Sequence, residues 1–73
     1  MTDDEYLEWC KKRALEYIAA HDPRQAFTSM LSDLRKRDSF ANHPGATIGV
    51  GFMMLDGWID NPAEVRRWIE GFR

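Results

Sequence analysis

A second cysteine is missing from this chain, and with it any intramolecular disulfide: Cys10 stands alone among 73 residues. A chain of this length buries only about 60% of the surface its unfolded state exposes. Small secreted domains often make up the deficit with disulfides. That framework is excluded here, and a reducing, cytoplasmic compartment is the expectation. A long apolar run is missing too. The longest, Ala46 to Leu55, contains Thr47, Gly49 and Gly51 and stops at Asp56, well short of the roughly 20 residues of a membrane span. Thr2-Asp3-Asp4-Glu5 is acidic where a signal peptide is basic, and no apolar stretch follows it. Neither sign of charge is in excess. Ten basic and twelve acidic groups leave a net −2, which gives no general attraction to nucleic acid or to an anionic membrane.

Catalytic and metal-binding spacings are absent as well. His21, His43 and Cys10 are the only soft ligands, and none sits in a C-x-x-C or H-x-x-x-H pattern. Gly45, Gly49 and Gly51 match neither a dinucleotide fingerprint nor a P-loop. Carboxylates such as Asp3/Asp4 and Glu64/Glu70 fall at helix starts or on solvated faces, where nothing shifts a pKa for acid–base work. These readings point away from an enzyme and imply no metal and no cofactor.

What the chain does have is helical punctuation and many large apolar side chains. Hydrophobic residues make up 44% and charged residues 30%, the balance of a folded globule. Thr2 with Glu5 reads as a capping box. From there Tyr6, Leu7, Cys10, Ala14, Tyr17, Ile18 and His21 share one face, predicting a helix over 3–20. Asp22-Pro23 ends it and opens a second over 23–37, striped by Ala26, Phe27, Met30, Leu31 and Leu34. Asp38 to Gly45 is the main loop, with His43 in a turn role ahead of Pro44. Residues 44–57 carry three glycines, yet Ile48, Phe52, Leu55 and Ile59 recur at i, i+4, i+7 and i+11. This predicts a third helix, apolar all round and therefore buried. Asn61-Pro62-Ala63-Glu64 starts a fourth over 62–72, with Val65, Trp68, Ile69 and Phe72 on one face. The expected fold is all-α: one domain over 1–73, a bundle of about four helices around a central apolar third helix.

Several residues carry functional expectations. Trp9 falls off the core stripe beside Arg13 and Glu16, a composition typical of binding anchors. Packing beneath a neighbouring segment is the plain alternative. Met53 and Met54 offer an adaptable apolar surface, though core positions of a buried helix are the ordinary reading. Arg35, Lys36 and Arg37 form a short basic cluster bracketed by Asp33 and Asp38. A solvated charged face is its simplest reading, and the apolar third helix would make a poor groove reader. Cys10 lies on the buried stripe, where a thiol is inert. Asp56 interrupts the third helix and is expected to pair with Arg66 or Arg67, or to face water. Gly45 and Gly49 are spaced for close approach of another helix, within the chain or from a second copy.

Ala14-Leu15-Glu16-Tyr17, the Asp22-Pro23 turn and Ala26-Phe27 resemble one helical hairpin of a tetratricopeptide repeat, which implies a hairpin and not an array. Gln25-Ala26-Phe27-Thr28-Ser29-Met30, Ser32-Asp33-Leu34-Arg35-Lys36, Met53-Met54-Leu55 with Gly57, Pro62-Ala63-Glu64-Val65-Arg66 and Ile69-Glu70-Gly71-Phe72 resemble a group of short, uncharacterised proteins encoded by bacteriophages. That resemblance covers nearly the whole chain, transfers no site residue, and implies a context in which small phage proteins bind and modulate host proteins, including transcription and defence machinery. The leading expectation is thus a non-enzymatic phage accessory protein that binds a host protein through Trp9, Arg13, Glu16, Met53 and Met54. The alternatives are a self-associating accessory protein, dimerising through the Gly45/Gly49 face, and a nucleic-acid binder using Arg35, Lys36 and Arg37. Membrane association is not expected.

Overall fold

The computed structural model describes residues 2–72, so the outermost positions of the expected 1–73 domain lie outside the described residues. In chain order it contains α1 (Asp3–Ala19), α2 (Pro23–Arg35), α3 (Pro44–Met53), a 3-10 turn over Trp58–Asp60, and α4 (Pro62–Glu70). Each α-helix starts where a side chain satisfies first-turn amides that have no intrahelical partner. Thr2 accepts from the Glu5 amide while Glu5 accepts from the Thr2 amide, completing the capping box. The Asp22 carboxylate accepts from Gln25 N–H, and the Asn61 side chain from Ala63 and Glu64. His43 fills the same role with Nδ1, which accepts from Gly45 N–H at 2.9 Å. Pro follows the cap in α2, α3 and α4, where its missing N–H costs nothing. Between α1 and α2 the chain turns at His21, whose φ of 60° lies in the left-handed region.

The core belongs to α1, α2 and α4. Cys10 and Ala14 of α1, Ala26, Met30 and Leu34 of α2, and Val65 and Ile69 of α4 are wholly buried. Alanines on the facing sides of α1 and α2 bring the two backbones close. An aromatic layer closes one end: Phe27 lies 4.9 Å from Trp68 and 5.7 Å from Trp58, and Trp68 lies 5.1 Å from Phe72, measured between ring centroids. Polar ties hold the periphery to it. Arg24 of α2 grips both carboxylate oxygens of Asp60, and Lys11 of α1 donates to the Phe72 carbonyl at 3.1 Å.

The chain is an all-α bundle, and its helices begin where the caps place them. The third helix departs from expectation in length and in position. It stops at Met53 rather than near residue 57, so Leu55 lies past its end and Ile59 in the 3-10 turn, which breaks the expected ridge. Gly57 takes φ 78° and swings the chain away. Nor is α3 the central rod. Gly49 is its sole buried residue, whereas Ile48 is 53%, Met53 45% and Met54 82% exposed. The reason is volume. Trp58, Trp68, Phe27 and Phe72 already fill the space a central helix would occupy, so α3 fits only as a cover, with Gly45 and Gly49 turned inward, Phe52 leaning on Trp58 and the other large residues left in water.

Candidate interaction site

The outward side of α3 and the residues just after it form the most unusual surface of the molecule. Six large apolar residues, Ile48, Val50, Phe52, Met53, Met54 and Leu55, each remain between 37% and 82% exposed. Together they expose the equivalent of about three whole side chains, roughly 600 Å² at ~200 Å² for a large residue. That is at the upper end of the largest apolar patch on an ordinary monomer, ~300–600 Å². Pro44 to Leu55 contains no charged residue. On its α2 side the patch drops into a groove floored by Phe27 and Leu31, walled by Val50, Met53 and Ile59, and rimmed by Arg35.

The inward side of α3 explains two of its glycines. A Cβ on Gly49 would stand 2.5 Å from Cζ2 of Trp68, and one on Gly45 would stand 2.7 Å from Cε1 of Phe72. The Trp68 indole N–H also donates to the Gly45 carbonyl at 2.9 Å. The Gly45/Gly49 face is therefore covered by Trp68 and Phe72 of the same chain, the intramolecular one of the two approaches its spacing allowed. Gly51 differs. Nothing lies within 4 Å of where its Cβ would be.

Trp9 is 38% exposed and away from the core, in the expected company. The Arg13 guanidinium sits 4.9 Å from its ring centroid, and the Tyr6 ring lies 5.6 Å away on the other side. Trp9, Arg13 and Glu16 border one shallow depression with Tyr17 and Ala20. Met53 and Met54 lie on α3, so the five expected partner-binding residues do not form one site but two.

Arg13 is anchored by a residue that sequence reasoning passed over. Asp33 is 1% exposed, with Arg13 Nε 3.4 Å from Oδ2 and Lys36 Nζ 3.5 Å from Oδ1. Oδ2 lies within ion-pair range of Arg13 but is not aligned for a hydrogen bond, and it is left without one. The Tyr6 hydroxyl donates to the Asp33 main-chain carbonyl. Burial pushes the thiol of neighbouring Cys10 above its ordinary pKa, and the Asp33 charge adds to the shift. The Tyr6 phenol is raised for the same leading reason, burial. The signal was present in the sequence: Asp33 falls three residues after Met30 on the apolar stripe of α2.

Two residues of the expected basic patch are engaged by acids, while Arg35 and Lys36 both line the groove beside α3. Lys36 bends to Asp33, while Arg37 pairs with Asp3 at 3.0 Å and lies over the Tyr6 ring at 4.9 Å. Arg35 ends α2 and Lys36 and Arg37 follow it, so one of the three pairs with an acid of α2 and one with an acid of α1. The expected partnership of Asp56 with Arg66 or Arg67 is corrected too. Arg66 pairs with Glu70 and Arg67 with Glu64 along α4, leaving Asp56 exposed to water.

Among the described residues, no group of three or more His, Cys, Asp or Glu side chains is placed to hold a metal ion. No helix among them is long and apolar enough to cross a membrane. What the fold and surface define is a small all-α bundle that displays one apolar helix face. No protein-family model, curated protein or solved structure matches the chain.

Proposed function

We propose that this chain is a non-enzymatic binding protein whose working surface is the outward face of α3. The observation that carries the reading is the exposure of six large apolar residues on one uncharged stretch, 48–55. A chain this small gains little stability to spare, and an apolar face left in water adds nothing to it. Covering that face returns the free energy of removing it from water, ~25 cal/mol per Å². Met53 and Met54 suit such a role, because unbranched thioether side chains adapt to the shape that meets them. The resemblance to short bacteriophage-encoded proteins supports an infected bacterial cytoplasm as the setting, with a host protein as target and modulation of that protein as the outcome. Trp9 with Arg13 and Glu16 forms a smaller, second contact area on α1.

Capture from host lysate on the immobilised full chain tests this, with Met54→Asp and Trp9→Ala compared against the unaltered protein. A polypeptide retained by the unaltered chain and by Trp9→Ala, but lost with Met54→Asp, is the expected pattern. Retention that is indifferent to Met54→Asp, while circular dichroism reports an intact fold, overturns the assignment of the surface.

A further inference from the structure

We infer that the first occupant of the α3 face is a second copy of this chain, packed helix against helix about a two-fold axis through Gly51. The inference rests on the reading that this face binds protein, and goes on to name what covers it.

Gly51 is the starting point. A glycine inside a helix weakens it relative to alanine, so its presence calls for a reason. At Gly45 and Gly49 the reason lies inside the chain, in the rings of Phe72 and Trp68 pressed against the backbone. Gly51 has no such neighbour within 4 Å. It faces outward, on the exposed side of α3. Thr47, Gly51 and Met54 follow one another at i, i+4 and i+7, and so fall along one line of the helix with Ile48 and Val50 on its shoulders. Two small residues one turn apart, flanked by branched ones, let a second helix backbone approach closely while the flanking side chains pack beside it. That geometry is well known between helices in membranes, and the same contact in water gains burial of apolar surface as well.

Charge and area select the occupant. The surface from Pro44 to Leu55 is uncharged, so a copy of itself meets no like charge across a two-fold axis, where each patch faces its own image. The nearest charges, Arg35 and Lys36, line the groove on the α2 side, which includes neither Thr47 nor Gly51. About 600 Å² from each copy sets an upper limit near 1,200 Å² in total when the faces meet, at or below the lower edge of the size range of stable, specific interfaces. Association should therefore be reversible and concentration-dependent, with the glycine at its centre and the methionines around it.

Sedimentation of the full chain from a few micromolar to several hundred micromolar tests the proposal. The expected result is a mass that climbs from one copy of 8.5 kDa toward two. Two variants separate the interface from the fold. Gly51→Leu enters open space in a single copy, so dilute samples keep their helical circular dichroism and melt no earlier than the unaltered chain. In the dimer the same side chain props the backbones apart, and association weakens at least tenfold. Met54→Asp buries a carboxylate at the contact and gives the same loss. A chain that stays single throughout, or a dimer indifferent to both variants, overturns the inference. If it stays single but still captures a lysate polypeptide through Met54, the second copy is excluded and the binding face stands. If capture also ignores Met54, both fall.

Discussion

Alanine placed at Gly49 and at Gly51, two residues apart in one helix, should move stability in opposite directions. Either substitution gains the intrinsic preference of alanine over glycine in a helix, about 1 kcal/mol. At Gly51 that gain is the whole effect in the single chain, because a Cβ there meets nothing within 4 Å. Gly51→Ala should raise the melting temperature by roughly 4–8 °C, the usual response of so small a domain to 1 kcal/mol. At Gly49 the new methyl stands 2.5 Å from Cζ2 and 2.6 Å from Cε2 of Trp68, about 1 Å inside ordinary carbon–carbon contact. Trp68 has little room to yield, since Phe27 and Phe72 lie 4.9 and 5.1 Å from its ring. Overpacking of this kind costs ~1–3 kcal/mol. Turning the indole aside forfeits its hydrogen bond to the Gly45 carbonyl, worth about 1 kcal/mol net. Set against the helical gain, Gly49→Ala should lose ~1–3 kcal/mol. Urea titration followed by far-ultraviolet circular dichroism at low micromolar concentration measures both, with self-association kept out of the balance. Two variants that shift together, in either direction, would refute the docking of α3 through its glycines.

Four further outcomes follow from individual residues. Cys10 should resist iodoacetamide in the native chain and react readily in urea, because burial holds its proton; equal rates would refute its burial. The folded thiol and the Tyr6 phenol both bind protons more tightly than they do unfolded. The thiol's contribution is complete below its ordinary range and is lost as pH rises from there through its raised folded pKa, while that of the phenol is lost only at still higher pH, so the urea midpoint should fall from pH 7 to pH 10, less steeply in Cys10→Ala. Gly57→Ala should cost ~1–2 kcal/mol from left-handed backbone strain alone, since its φ is 78° and no neighbour crowds it, and Gly57→Asn should lose less in the same urea titration. Asp33→Asn should change stability by about 1 kcal/mol or less, against ~3–5 for breaking a fully buried pair. The side chains of Arg13 and Lys36 are 44% and 64% exposed and can return to water; a loss above 3 kcal/mol would contradict this.

The parts of the fold that were legible in the sequence are those governed by local chemistry. Thr2 with Glu5, Asp22-Pro23 and Asn61-Pro62 each mark a helix start that the structure repeats, because a cap needs only its own first turn. The faces of α1, α2 and α4 were legible for a related reason: apolar spacing decides which side of a helix is buried once something exists to bury it. What spacing does not decide is which apolar segment wins the interior. Ile48 and Phe52 looked like core by composition, yet two tryptophans and two phenylalanines supplied the volume first, and α3 was left outside. Gly45 and Gly49 are spaced for close approach of another helix, and the approach is the intramolecular one, with Phe72 and Trp68 seated on them. Trp9 beside Arg13 was legible from helical geometry. The anchor beneath Arg13 was not, because Asp33 had been read as a solvated neighbour of the basic cluster and not as part of the stripe it interrupts. The pairing of Arg37 with Asp3 depends on where α1 lies, which no local pattern encodes.

The seating of α3 also sets two tiers of cohesion. Three helices share the interlocked interior, whereas the fourth adheres through one indole hydrogen bond, two glycine contacts and a few ring edges. Lifting it off needs less work than melting the whole. Backbone amides of 47–53 should therefore trade hydrogen for deuterium through a partial opening, well ahead of those in the other helices. The segment proposed to meet other molecules is then also the one least tied to the rest of the chain.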